Sequence, residues 1–219
     1  MSAHLAGRVV LVTGAASGFG RLIAEKCAEG GAKVVGVDVD AAALAEVVDG
    51  IAAAGGEALA QVADVTDLTA LQTATGQAVQ AFGAVDVLVN NAGMMPLAYF
   101  ADHERAWQRW HQAIDINIKG VVNGICAVYD QMIAQGSGHV VNISSIYGNG
   151  GVAGAGVYSA TKAAVAVLSD ALRVEAQGRI KVTTVKPTGV LGTNLAGGVV
   201  NEMAIICDRL GVDVWEVID

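Results

Sequence analysis

Short runs of β-branched and apolar residues alternate with longer Ala-rich stretches along nearly the whole chain, and this alternation restricts the fold more than any other feature. The runs are RVVLVT (8–13), KVVGVD (33–38), ALAQVA (58–63), VDVLVN (85–90), GHVVNIS (138–144) and RIKVTTV (179–185). Segments of helical period lie between them, near 18–30, 41–54, 67–82, 104–134 and 157–177. Near-continuous apolar strands need cover on both faces, and parallel neighbours need a crossover long enough to return across the sheet. A repeated strand-helix unit meets both needs. The pattern predicts an α/β fold: a Rossmann-type, doubly wound parallel sheet of six visible strands with right-handed crossovers and helices on both faces. No Pro-rich or Ser-rich linker divides the chain, so residues 1–219 read as a single domain.

Charge narrows the partners. Only 16% of residues are charged and the formal net charge is −8, which leaves no basic surface for nucleic acid or anionic lipid. No uncharged apolar run approaches membrane-spanning length, and the N-terminal MSAHLAGRVVLVTG lacks the basic and long apolar regions of an export signal. A cytoplasmic protein with no nucleic-acid and no membrane partner is expected. Cys27, Cys126 and Cys207 form no C-x-x-C pair and have no His at ligand spacing, so they read as buried small hydrophobes and no metal is expected.

VVLVTGAASGFG joins the first strand to the first helix and carries Gly14, Gly18 and Gly20. Residues without Cβ permit a tight turn and close approach to a diphosphate, whose charge then meets free N–H groups and the positive end of the helix. The spacing alone is a weak signal in a chain with 28 glycines. Its position after a strand and before a helix makes it a phosphate loop. Asp38 ends the second strand, where such folds present an acid to the adenosine ribose; its carboxylate would accept from both hydroxyls and repel a 2′-phosphate, which favours NAD over NADP. A solvated strand-end aspartate is the plainer alternative. Asp64, after the third strand, suits either the adenine or the turn into the next helix.

YSATK (158–162) places a phenol and an ammonium four residues apart, on one helical face if the segment is helical. With the glycine loop, NNAG (90–93) and Ser145 thirteen residues before Tyr158, the sequence resembles the short-chain dehydrogenase/reductase family over residues 7 to about 195. The resemblance implies that Tyr158 is the acid/base at the substrate oxygen. Lys162 would bind the nicotinamide ribose and lower the phenol pKa, and Ser145 would hold the substrate oxygen against Tyr158. Ser144 would point to the opposite face. Asn117, in DINIKG, matches the asparagine that holds a water leading from the lysine to solvent, although a helical Asn also bonds locally. The cofactor contacts expected are Gly14, Ser17, Gly18, Phe19, Gly20, Asp38, Asp64, Val65, Asn91, Gly93, Tyr158, Lys162, Pro187 and Val190. Asn90 is expected to tie central strands together.

KPTGVLGTN departs from the family's Pro-Gly pattern, with Gly189 and Thr193 each one position late. Family members usually continue past the point reached at Asp219, so the usual seventh strand is expected to be missing. The segment at about 188–210 reads as the substrate loop. Met94, Tyr147, Leu195 and Met203 are the expected substrate contacts beside Ser145. Among the segments 94–100, 147–157 and 187–207, Glu202 is the sole charge. A buried anion would lack a compensating cation there, which points to a neutral, mostly apolar secondary alcohol or ketone. His103, Trp107, Trp110 and His111 read as a partly buried helix face at a subunit contact of a homodimer or homotetramer. The expected activity is NAD-dependent hydride transfer. The rivals are a non-catalytic dinucleotide-binding regulator, which would need only the glycine loop and Asp38, and an epimerase or enoyl reductase on the same scaffold.

Overall fold

The computed structural model describes residues 5–188 of the chain. Strands β1 (Val9–Thr13), β2 (Lys33–Asp38), β3 (Glu57–Val62), β4 (Val87–Asn90), β5 (His139–Ile143) and β6 (Lys181–Val185) form one sheet in the order β3-β2-β1-β4-β5-β6. Every pairing is parallel. This is the doubly wound order, with its reversal between β1 and β4. The crossovers are α1 (Gly18–Glu29), α2 (Ala41–Ala53), α3 (Leu68–Phe82), α4 (His103–Ile114) with α5 (Gly120–Gln135), and α6 (Gly156–Glu175).

The central strands are apolar at successive positions because both faces are covered. Val9 and Leu11 pack with residues of α3 and α5, whereas Val10 and Val12 pack with residues of α1 and α2. Each such side chain contributes roughly 1.5–3 kcal/mol of burial. Helix starts follow local chemistry: Asp40 accepts from the Ala43 N–H at 3.0 Å and Asp67 from the Ala70 N–H at 3.2 Å. α3 and α5 each end at a left-handed glycine, Gly83 and Gly136.

One predicted element differs. The segment expected as a single helix over 104–134 opens with a 3₁₀ turn at Phe100–Asp102 and is interrupted by a π turn at Asp115–Lys119. An extra residue in one turn turns Asn117 fully into the interior. Hydrophobic period does not reveal an insertion of that size. On α4, Trp110 is buried against Phe100 at a ring separation of 5.3 Å, while Trp107 is half exposed with its ring edge-on to His111.

One cysteine also differs from expectation. Cys27 is buried and its thiol is pushed up to about 12 by burial, whereas Cys126 lies exposed on α5. Cys207 lies outside the described residues. No helix among the described residues is long and apolar enough to cross a membrane.

Candidate active site

The reversal between β1 and β4 leaves a crevice at the carboxyl ends of the strands, and the register decides what faces it. Val12 aligns with Val89, and Asn90 with Asn142. Thr13, level with Asn90 and Asn142, and the residues Asn91 and Ser145 that follow them therefore stand at the carboxyl ends of three neighbouring strands.

The glycine loop is shaped by contacts that no other residue permits. Gly14 has φ +68°, and a Cβ there would lie 2.9 Å from the Ala92 Cα. A Cβ on Gly20 would lie 2.0 Å from the Gly14 carbonyl oxygen and 2.5 Å from the Asn91 amide nitrogen. Asn91 Nδ2 donates to the Thr13 carbonyl at 2.9 Å. Thr13 Oγ1 accepts from the N–H groups of Asn91 and Ala92, at 3.0 and 3.1 Å, and donates to the Val89 carbonyl at 3.3 Å. Thr13 is thus the hinge between the glycine loop and NNAG. The sequence reading missed it; its signal was a polar side chain closing an otherwise apolar strand.

Asp38 ties down the far side of the loop. Its carboxylate accepts from the Ala16 N–H at 2.9 Å and from the Asp40 N–H at 3.1 Å. Ser17, at the N-cap of α1, makes no side-chain cap bond, and the first turn carries no acid. The positive end of α1 therefore keeps donors facing a Cβ-free cradle, and these residues fit a dinucleotide diphosphate. Asp64 is exposed and accepts from the Thr66 N–H at 2.8 Å, as a turn residue. Asp67, not Asp64, caps the following helix. Val65 is buried, with its carbonyl held by Asn123 Nδ2 at 2.9 Å.

Tyr158 and Lys162 lie one turn apart on α6, with the ammonium 5.8 Å from the phenol ring centroid. Lys162 Nζ donates to the Ile143 carbonyl at 2.9 Å. Burial lowers its pKa to about 8. Tyr158 was expected to be depressed by this lysine. The protein frame instead raises it: burial pushes the phenol up, a hydrogen bond with Ser145 pulls it down, and the neighbouring Tyr147 phenol pushes it up again. The ammonium is committed to the Ile143 carbonyl, and burial is the largest influence on the phenol. Tyr147 stands edge-on to Tyr158 at 6.2 Å.

The segment around this pair is clamped from behind. Ser144 Oγ donates to the Lys162 carbonyl at 2.7 Å, and a Cβ on Gly148 would lie 2.8 Å from the same carbonyl carbon. Asn117 Oδ1 accepts from the Met94 N–H, while its Nδ2 donates to the Met94 carbonyl and to Thr161 Oγ1, at 2.9, 2.9 and 3.0 Å. Both Asn117 amide protons are thus used in holding the chain. A Cβ on Gly93 would lie 3.2 Å from Asn117 Oδ1 and 3.5 Å from Lys162 Nζ, so backbone, amide and ammonium converge. Asn90 Nδ2 donates to Asn142 Oδ1, whose amide donates to Ser169 of α6, both at 2.9 Å; β4, β5 and α6 are tied in one buried chain.

Pro187 is held through its carbonyl by the Ile146 N–H at 3.0 Å, so its segment stands beside Ser145. Val190, Leu195 and Met203 lie outside the described residues, as does most of the expected substrate loop. Phe19 is partly buried on the first turn of α1. Met94 also lines a cleft with Asp102, Arg105 and Arg109; these charges lie outside the segments in which Glu202 is the sole charge, and Glu202 itself lies outside the described residues. The start of α4 folds back over the segment 94–98.

The family model for short chain dehydrogenases matches residues 8–204. A 2,5-dichloro-2,5-cyclohexadiene-1,4-diol dehydrogenase, LinX, of Sphingobium indicum is 39% identical over 191 residues, covering 87% of this chain and 76% of its own. A short chain dehydrogenase/reductase of Burkholderia phymatum, solved with NAD, superposes with a TM-score of 0.81 at 34% identity, covering 87% of this chain and 68% of its own. A metagenomic short-chain oxidoreductase solved with NADP has a TM-score of 0.78 at 32% identity, covering 92% and 90%. The chain belongs to the short-chain dehydrogenase/reductase family. It is an oxidoreductase of CH–OH groups with the fold that binds a nicotinamide cofactor.

Proposed function

We propose that the protein interconverts a neutral, mostly apolar secondary alcohol and its ketone with NAD(H), Tyr158 carrying the proton. The observation that supports this most is the convergence of Ser145, Tyr158 and Lys162 beside the loop formed by Thr13, Asn91 and Gly14. When bound, the nicotinamide supplies or accepts the hydride. Gly14, Ser17, Gly18, Phe19 and Gly20 would hold the diphosphate, Asp38 the adenosine ribose, and Asp64 with Val65 the adenine end. Asn91, Gly93, Lys162 and Pro187 would line the nicotinamide end.

Ser145 donates to the substrate oxygen and holds it against the phenol. In the reducing direction Tyr158 gives its proton to that oxygen; in the oxidising direction it takes the proton back, which requires the phenolate. The frame favours the protonated phenol, so an added positive charge must lower the phenol before it serves as a base near neutral pH. Asn117, by holding Met94 and Thr161, fixes the backbone on both sides of Lys162. Asp38 favours NAD because its carboxylate, already anchored by two N–H groups, faces a 2′-phosphate with like charge and no described cation is bonded to it. A homodimer or homotetramer fits the half-exposed Trp107 face, and a cytoplasmic setting fits the composition.

The test is NAD(H) turnover across a panel of secondary alcohols and ketones that includes keto acids matched in size to neutral ketones. Turnover is expected, with higher kcat/KM for the neutral member of each pair. Consistent preference for the keto acids contradicts the substrate class. A panel without turnover, together with tight NADH binding, contradicts the reaction.

A further inference from the structure

We propose that the cleft between residues 94–98 and α4 is a second binding site, selective for an amphipathic monocarboxylate. Its volume is about 530 Å³, within the range of small-molecule sites. The side chains of the segment 94–98 form an apolar wall, and Ala106 with Arg105 and Arg109 forms the facing one. None of Ser145, Tyr147, Tyr158 and Lys162 lines it, and of the described substrate contacts expected above only Met94 does, so it is distinct from the place of proton transfer.

The charges identify the occupant. Arg105 and Arg109 stand four residues apart on one face of α4, where like charges repel. Arg8, Arg21 and Arg173 each pair with a carboxylate, whereas among the described residues Arg105 and Arg109, both exposed, and Arg179, which donates to the Ala176 carbonyl, do not. Arg109 donates only to the neutral Gln112 Oε1, at 3.2 Å. Two guanidinium groups without a carboxylate partner in one cleft stand out in a chain where 21 acidic residues face 13 basic ones. A carboxylate between them would relieve the repulsion and accept charge-assisted hydrogen bonds from planar donors suited to it. Asp102, also in the lining, offsets one of the two positive charges. The remaining balance suits a single negative charge, and the wall of Met94, Pro96 and Leu97 requires an apolar body behind it.

The wall is held before anything binds. Asn117 grips Met94 at one end through two hydrogen bonds, and the Ala98 N–H donates to the Gly154 carbonyl at 2.8 Å at the other. A preformed wall reduces the ordering that binding requires.

Isothermal titration of the full chain with sodium octanoate, octanamide and sodium acetate tests the proposal. Octanoate is expected to bind at least ~10-fold more tightly than either comparator, as loss of a charge-assisted contact or of the apolar body predicts. The double substitution Arg105→Gln and Arg109→Gln should weaken octanoate at least ~10-fold with unchanged helicity, because glutamine supports an exposed helix as well as arginine does. Asp102→Asn should tighten it. Tyr158→Phe should leave octanoate binding unchanged, which separates this proposal from failure of the proposed reaction. Undetectable octanoate binding, equal binding of octanamide, undiminished binding by the double variant, or loss of binding in Tyr158→Phe would each overturn the proposal.

Discussion

The two sides of the crevice are built from different materials. On the side of β1 and β2, recognition rests on backbone: Gly14 and Gly20 lie where a Cβ would strike a neighbour, and Thr13, Asn91 and Asp38 spend their side chains on shaping the loop. On the side of β5 and α6, the work falls to side-chain atoms: the Ser145 hydroxyl, which accepts from the Tyr147 N–H, the Tyr158 phenol, hydrogen-bonded to Ser145, and the Lys162 ammonium, held by the Ile143 carbonyl. The first side should fail when atoms are added, and the second when atoms are removed.

The largest effect expected on the backbone side is from Gly20→Val. A side chain 2.0 Å from the Gly14 carbonyl oxygen displaces backbone, so NADH binding should be lost while the sheet, measured by circular dichroism, remains. Normal NADH affinity in that variant would show that the loop is not the cofactor cradle. Asp38 is next. kcat/KM should favour NAD over NADP by at least ~100-fold, a gap of a few kcal/mol for a charge clash. Asp38→Ser with Val39→Arg should move the preference toward NADP. Equal use of both cofactors by the unaltered protein would remove Asp38 from the ribose.

The smallest effect concerns the lysine and is read in stability. Its pKa is about 8 in the fold against an ordinary value of 10.5, so below about 8 the fold must bury a cation that the unfolded chain solvates. Between those values the unfolded chain binds more protons, and stability rises with pH. Lys162→Met removes this dependence. The variant's advantage in Tm over the unaltered protein should therefore be greatest below pH 8 and shrink as pH rises toward 10.5, while its NADH affinity falls. A difference in Tm independent of pH would contradict the burial of a titrating lysine.

How much of this was legible in the sequence follows the same division. The β-branched runs gave all six strands, because two-sided burial forces apolar residues at consecutive positions, whereas the caps Asp40 and Asp67 were not singled out and Asp64 stood as the candidate for the turn that Asp67 caps. The four motif residues Asn117, Ser145, Tyr158 and Lys162 were visible as a pattern, and the fold brings them to one place. The π turn that turns Asn117 inward was not visible, since a helical period tolerates one extra residue. Thr13 was hidden because its bonds reach residues 76 to 79 positions away. Arg105 and Arg109 were missed beside Met94 because their proximity arises only when α4 folds back over the loop. The raised Tyr158 was missed for a related reason: spacing shows the lysine nearby but not the burial that raises the phenol.

The claim on which the account turns is that the Tyr158 hydroxyl moves the proton and adds little to cofactor affinity. The direct measurement is kcat and NADH affinity of Tyr158→Phe, on the best substrate of the panel. The account predicts a fall in kcat of at least ~100-fold, in keeping with loss of a general acid/base, with NADH affinity nearly unchanged. Near-normal turnover in that variant would contradict it.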